Sequence, residues 1–267
     1  MLIIVCLCLE CFRVACIFVF VYSPGRVVIA CDGMDANQRD CYGVVGPKSR
    51  VSDGYVRMAS VMYTKTWETE FSGRSKRIML DPSYALRIML KKNDHAENGW
   101  KYGKGLLNHP LSDIGKLFVP VLEAPQDNPG ESHWWCIAFD FKAKAIWIID
   151  SLYNDPYSQH ADIISNLFHA VEVLVQLSDA RWQVGQMSKW EKHTVEVLEP
   201  RDNSSCSVVM LWGIKTCASR FVSRFGVSRI INARTNLLLE DAQSDLNEIK
   251  STFEQLLPKT KKRRRVT

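Results

Sequence analysis

The chain has 267 residues, 46% of them hydrophobic, and a formal net charge of +5, which is enough apolar material for one medium domain with extensions. Six positive charges sit between Lys259 and Arg265, and the remainder carries 28 Lys plus Arg against 29 Asp plus Glu. The body of the protein is therefore not basic, which speaks against a nucleic-acid-binding domain with positive charge spread over a folded face.

Residues 1–22 are apolar apart from Glu10 and Arg13. As a helix this head would be about 33 Å long, the thickness of a bilayer core. Each central charge costs about 2.5–3.5 kcal/mol on insertion scales, partly offset by pairing at i, i+3. A basic leading region and a small-residue cleavage site are both missing. The readings are a membrane anchor or signal, a buried or disordered extension, or a misassigned start. Of the nine cysteines, four lie in this head, where Cys8 and Cys11 form a lone CxxC, a weak zinc signal without a second pair. Cys31, Cys41, Cys136, Cys206 and Cys217 show no disulfide framework and point to a reducing compartment.

Past a Gly, Asp and Arg-containing stretch with a strand-like run at residues 26–30, residues 51–63 read as a capped helix, apolar at Val56, Ala59 and Tyr63. Residues 67–100 read as helical with a basic, solvated face, and His95 and His109 as surface histidines. Residues 117–121 read as a strand, and residues 126–130 as a turn.

The stretch from Glu131 to Leu152 holds two apolar runs around a lysine-containing centre, the pattern of two antiparallel strands. A turn centred between Phe141 and Lys142 places His133 opposite Asp150. Opposed residues have Cβ atoms roughly 4.5–5.5 Å apart, close enough for an imidazole to reach a carboxylate. Such a base with its orienter needs a nucleophile. Cys206 follows a Pro, Asn and Ser-rich loop and precedes a long apolar run, which puts it in the first turn of a buried helix, where the helix N-terminus favours a thiolate. Taken singly, each residue has an ordinary structural explanation; together they suggest a triad.

Residues 161–177 carry apolar positions at helical spacing, a face for covering a sheet. His169 reads as structural, and His160 and His193 lack a metal-spaced partner. Residues 221–231 read as a packed segment and residues 237–257 as one amphipathic helix. The basic tail from Lys259 to Arg265 matches a monopartite nuclear import signal, which predicts an import receptor as partner and a nuclear location; the alternative is membrane association through residues 1–22.

The order His133-Trp134, then Asp150-Ser151-Leu152, then a cysteine after a Pro/Asn/Ser-rich loop resembles the ubiquitin-like-protein-specific (SUMO, or sentrin-specific) cysteine proteases, and within them the divergent plant, partly transposon-borne branch. The resemblance covers roughly residues 45–235. It implies an α+β, papain-like cysteine protease fold with a central mixed sheet flanked by helices. It implies His133, Asp150 and Cys206 as catalytic residues and Trp134 over a narrow channel for the substrate's diglycine tail. No metal and no organic cofactor is required. The implied partner is a SUMO-like modifier joined to target proteins by an isopeptide bond. The chain departs from the family at three places. Pro200 stands where a Gln usually helps bind the oxyanion, Ser207 where a Gly usually follows the cysteine, and Arg50 where a Trp usually encloses the diglycine.

The expected organisation is a head and irregular extension over residues 1–44, a catalytic domain over 45–235, and an amphipathic helix with a basic tail over 236–267. The expected function is a cysteine-type isopeptidase cleaving after the C-terminal glycine of a SUMO-like modifier. The alternative, favoured by the three departures, is an inactive transposon-derived relic or a binding module for a ubiquitin-like protein.

Overall fold

The computed structural model describes residues 23–46, 48–90, 111–123, 132–198, 204–227 and 230–256. The apolar head with its CxxC, His95, His109, residues 126–130, Pro200 and the basic tail lie outside them. Strands β1 (Val27–Cys31) and β2 (Met34–Asn37) lead into helices α1 (Gln38–Val45) and α2 (Asp53–Glu70). Then come β3 (Lys76–Met79), α3 (Ser83–Leu90), β4 (Ile114–Glu123), β5 (His133–Asp140) and β6 (Ala145–Ile149). They are followed by α4 (Pro156–Gln159), α5 (Ala161–Ser178), β7 (Glu191–Val197), α6 (Cys206–Ser219), β8 (Arg224–Phe225), α7 (Ile230–Gln243) and α8 (Lys250–Leu256).

Six strands form one mixed sheet in the order β3-β4-β5-β6-β7-β8. The central pairs β4–β5 and β5–β6 are antiparallel, while β3–β4, β6–β7 and β7–β8 are parallel. Because both faces are covered, β5 is buried from His133 through Phe139, as a central strand flanked by helices must be. Alternation then divides its side chains. Trp134, Cys136 and Ala138 pack with α2, α6 and α7, whereas Trp135, Ile137 and Phe139 pack with α3 and α5. The fold is thus the α+β arrangement of a central mixed sheet between helices.

Local chemistry explains the elements that frame the site. Ser52 caps α2 by accepting the Tyr55 N–H at 3.2 Å. Helix α5 turns Ile164, Leu167, Ala170, Val171, Leu174 and Val175 inward, matching the period read from residues 161–177. Helix α6 is buried on almost every side, so its continuous apolar run is that of a central helix. Its approach to the sheet depends on Gly213, where an added Cβ would come within 2.6 Å of Ile149 Cγ2. A bare backbone at that point lets α6 lie against the end of β6.

Three expectations need correction. First, the β5–β6 register pairs Cys136 with Ile149 and Asp140 with Ala145, two residues away from the alignment that sets His133 opposite Asp150. The connection is a four-residue loop, because the Asp140 carboxylate accepts the N–H groups of Lys142 and Ala143 at 3.1 and 2.9 Å and Lys144 turns at φ 51°. A slip of two preserves which face each side chain occupies, so His133 and Asp150 remain on one side. Second, residues 67–100 are not continuously helical: Gly73 at φ 75° ends the α2 region and the chain enters β3. Third, residues 237–257 are two helices. The break is fixed by buried Asn247, which accepts the Ala30 N–H at 3.0 Å and donates to Ala242 O at 2.7 Å and Val28 O at 3.3 Å. Those bonds dock the connection on β1.

Candidate active site

Strand β5 begins at His133, whose ladder partner is Glu123 at the end of β4. Strand β6 stops at Ile149, and Asp150 leaves the ladder directly after it. The two side chains meet at this end of the sheet, with His133 Nε2 2.9 Å from Asp150 Oδ1. The chain then folds around the carboxylate, so that Oδ1 also accepts the Leu152 and Tyr153 N–H groups at 2.6 and 3.3 Å. Burial works against the charge on Asp150, yet its hydrogen bonds to His133, His160 and the Leu152 N–H hold the carboxyl well below the usual carboxylate range. Burial likewise opposes charge on His133, but its hydrogen bonds to Asp150 and Cys206 prevail and lift it to about 9. Both partners thus favour the protonated form of the ring.

Cys206 is the first residue of α6. Its Sγ accepts the Trp134 N–H at 3.4 Å and acts electrostatically on the His133 imidazole. Nε2 of that ring serves Asp150, which leaves Nδ1 as the nitrogen available to the sulfur. The position also carries the positive end of the helix dipole. Ser205 stands at the N-cap but does not cap the helix with its side chain, contrary to the cap role its residue type suggests. Instead its hydroxyl accepts from Arg234 at 3.2 Å. Arg234, buried in α7, further donates to Ser204 O at 2.6 Å, Val44 O at 2.8 Å and Ser49 O at 3.1 Å. One guanidinium thus ties the chain entering Cys206 to the loop after α1.

That same loop bears Arg50, whose Nη1 donates to Ser132 Oγ at 2.9 Å and Ser132 O at 3.2 Å. The position that the resemblance assigns to a channel-closing Trp is therefore joined to the residue before His133. Trp134 is buried in the cluster that contains Cys206. Ser207 is fully buried, and among the described residues its hydroxyl has no hydrogen-bond partner.

His160 is the site residue that the sequence reading missed. It is buried and stacks on Trp135 with ring centroids 4.2 Å apart. Its Nε2 lies 2.8 Å from Asp150 Oδ2, and its Nδ1 lies 2.8 Å from Glu123 Oε2, off the line of a well-aligned N–H bond. A signal was present in the ten-residue step from Asp150 to His160 and in Trp135 sharing the strand face of His133, but neither has a metal-like or triad-like spacing. Donor atoms of His133, Asp150 and His160 lie within 4.8 Å of one another, so the set has the makings of a metal site. Both facing imidazole nitrogens, however, already bond to the Asp150 oxygens, and the carboxylate fills the centre. His169 is exposed on α5, and His193 is a surface residue of β7 beside Glu191 and Trp147. Cys31, Cys41, Cys136, Cys206 and Cys217 are free thiols.

Comparison with known proteins identifies the family and the fold. Residues 91–251 match the model of the Ulp1 protease family, C-terminal catalytic domain. The X-ray structure of the C-terminal Ulp1 protease domain in complex with Smt3, the yeast orthologue of SUMO, superposes with a TM-score of 0.67 at 14% identity, covering 89% of this chain and 96% of that one. The catalytic domain of a Ulp1-like SUMO protease from Chaetomium thermophilum gives 0.63 at 10% identity, covering 88% of each chain. A de-sumoylating protease gives 0.58 at 14% identity, covering 87% of this chain and 92% of that one. At such identities the likeness is one of fold. No curated protein matches the sequence.

Proposed function

The chain belongs to the Ulp1 protease family, and from that premise we propose that Cys206, His133 and Asp150 form the catalytic triad of an isopeptidase that releases a SUMO-like modifier from lysines of its target proteins. The observation that carries this reading is the His133–Asp150 hydrogen bond at 2.9 Å beside Cys206, the first residue of α6, whose Sγ is held at 3.4 Å by the N–H of the residue after His133. SUMO enters through the fold relatives, which are SUMO proteases, one of them bound to Smt3. The sulfur attacks the carbonyl carbon of the modifier's C-terminal glycine and forms a tetrahedral oxyanion. His133 then passes its proton to the departing lysine amine while Asp150 keeps the ring oriented. Water, deprotonated by the same imidazole, cleaves the thioester and frees the modifier's carboxylate. The Cys206 backbone N–H is the assigned oxyanion donor. Because Pro200 occupies the usual Gln position, a second donor from there is absent, and one such donor is worth about a hundred- to a thousandfold in rate.

Reaction of the full chain with ubiquitin-like modifiers bearing a C-terminal thiol-reactive warhead tests the assignment. The expected result is a covalent adduct with a SUMO-like modifier that disappears in Cys206→Ala and falls by about a thousandfold or more in His133→Ala. No adduct from folded protein would defeat the enzyme and support the second reading, a non-catalytic binder of a ubiquitin-like protein. The orphan Ser207 hydroxyl and the Arg50–Ser132 bond across the channel position favour that second reading.

The tail between Lys259 and Arg265 supports nuclear import through an import receptor. Changing its six basic residues to alanine in a fluorescent fusion would move the protein out of the nucleus if this holds. Among the described residues no helix is long and apolar enough to cross a membrane; a membrane fraction that persists only with residues 1–22 would assign anchoring to the head.

A further inference from the structure

Asp150 has two oxygens, and the triad uses one. Oδ1 serves His133 and the Leu152 and Tyr153 N–H groups, whereas Oδ2 is 2.8 Å from His160 Nε2. His160 cannot rotate away. Trp135 stacks on it with planes 10° apart, and Tyr153 meets it edge-on at 5.3 Å. Its other nitrogen is 2.8 Å from Glu123 Oε2, which also accepts the Trp135 indole N–H at 3.2 Å. Glu123 is in turn the ladder partner of His133, so the four residues close a ring around the end of the β4–β5 ladder.

With Nε2 bonded to Asp150 and Nδ1 only 2.8 Å from Glu123 Oε2, though off the N–H line, both carboxylates favour the doubly protonated ring, because a bare nitrogen would confront an acceptor with an acceptor. Burial opposes this, but Asp150 and Glu123 outweigh it and raise the His160 pKa. The titratable groups facing the ring are Glu123 from β4, His133 from β5, and Asp150 and Tyr153 from the segment after β6. Charge therefore alternates along Glu123, His160, Asp150 and His133, and Asp150 divides its stabilisation between two cations.

We propose that His160 is a positioning residue for the Cys206–His133 pair, an imidazolium tethered by Glu123 that fixes the plane of Asp150 and shares its charge, and so limits the alkaline range over which His133 keeps its proton. This rests on the triad reading above. A purely structural His160 would affect folding or overall rate; one that shares the Asp150 charge also sets the pH profile.

The test measures the rate of adduct formation between the full chain and a SUMO-like modifier carrying a warhead, from pH 6 to 10, for wild type, His160→Gln, His160→Ala and Glu123→Gln. Gln at 160 still donates an N–H to Oδ2 but carries no charge. Its alkaline limb is expected to move upward by about half a unit to one unit, because the whole Asp150 charge then supports His133. His160→Ala is expected to show the same direction with a rate loss of about ten- to a hundredfold at pH 7.5, comparable to losing other outer partners of a site. If His160→Ala fails to fold, His160→Gln decides the matter; in Glu123→Gln the weakened charge on the ring is offset by the loss of an anion that acts directly on His133, so the smallest shift is expected there. An alkaline limb that stays put or moves down in His160→Gln, in folded protein, overturns the proposal. A wild type that forms no Cys206-dependent adduct overturns the triad reading instead, and the two failures are distinct.

Discussion

Buried cations hold both ends of helix α6, but they do so in opposite senses. At the C-terminal end Lys116 Nζ donates to Cys217 O, Ala218 O and Ser219 O at 2.7, 3.2 and 3.1 Å, and Arg77 Nε donates to Ala218 O at 2.8 Å. Positive charge there meets the negative end of the helix dipole and satisfies carbonyls that have no intrahelical donor. At the N-terminal end Arg234 sits at the positive pole, where a cation is unfavourable to the dipole. Its donors reach past the helix to the carbonyls of Ser204, Ser49 and Val44. The first arrangement stabilises a helix; the second holds the chain that delivers Cys206 and adds positive potential where a thiolate must form.

The largest expected effect follows from removing the second arrangement. Arg234→Met leaves several buried carbonyls and the Ser205 hydroxyl without their donor and is expected to lower unfolding free energy by about 3–5 kcal/mol. Urea denaturation measures this directly. Arg234→Lys should recover only part, because a single ammonium cannot span acceptors on three segments. A loss below about 1 kcal/mol for the Met variant would show that the Cys206 segment does not depend on this clamp.

The two ends also differ in how far they could be read from the sequence. Strands β1, β4, β5 and β6 and helix α5 were legible because alternation, apolar runs and helical period are local signals, whereas β3 lay in a stretch read as helix and β2, β7 and β8 gave no strand signal; the His133, Asp150 and Cys206 candidates came from short motifs in order. The exact pairing of β5 with β6 was not, since it hangs on the Asp140 side chain capturing two loop N–H groups. Neither Arg234 nor His160 belongs to a motif. Arg234 lies beside Ala233 and one turn from Leu237 and Leu238 on a buried face, and a cation on such a face is a hint of a buried acceptor cluster without saying which one. The partners of His160 come from β4 and the end of β6, a meeting that only the sheet order creates.

A smaller effect is expected at the other end, with a signature in pH. Burial pushes Lys116 down from the ordinary 10.5 to about 8. Between those values the unfolded chain binds the proton that the folded chain has released, so stability from this group rises with pH across the window, by about 3 kcal/mol in all. Below pH 8 the charged amine bears its full desolvation cost but keeps three carbonyls paired. Lys116→Met is expected to cost about 1–3 kcal/mol at pH 7, and the gap to wild type should widen as the pH is raised from 8 toward 10. Unfolding midpoints of the two proteins at pH 7, 8, 9 and 10 measure it. A gap that stays constant would mean that Lys116 is not the group titrating in that window.

The smallest effect returns to the N-terminal end, one residue after the nucleophile. Ser207 is fully buried and its hydroxyl finds no partner among the described residues, although Ser205 two positions earlier is bonded to Arg234. An orphaned buried hydroxyl costs about 1–3 kcal/mol, whereas Ala removes it without changing the backbone and has the best helix propensity. Ser207→Ala is therefore expected to stabilise the protein by about 1 kcal/mol in urea denaturation. Glycine at the same position loses the hydroxyl too, but a glycine inside a helix costs about 1 kcal/mol relative to alanine, so Ser207→Gly should fall near wild type. A destabilised Ser207→Ala protein would mean that the hydroxyl has a partner after all, and would make the start of α6 as fully satisfied as its end.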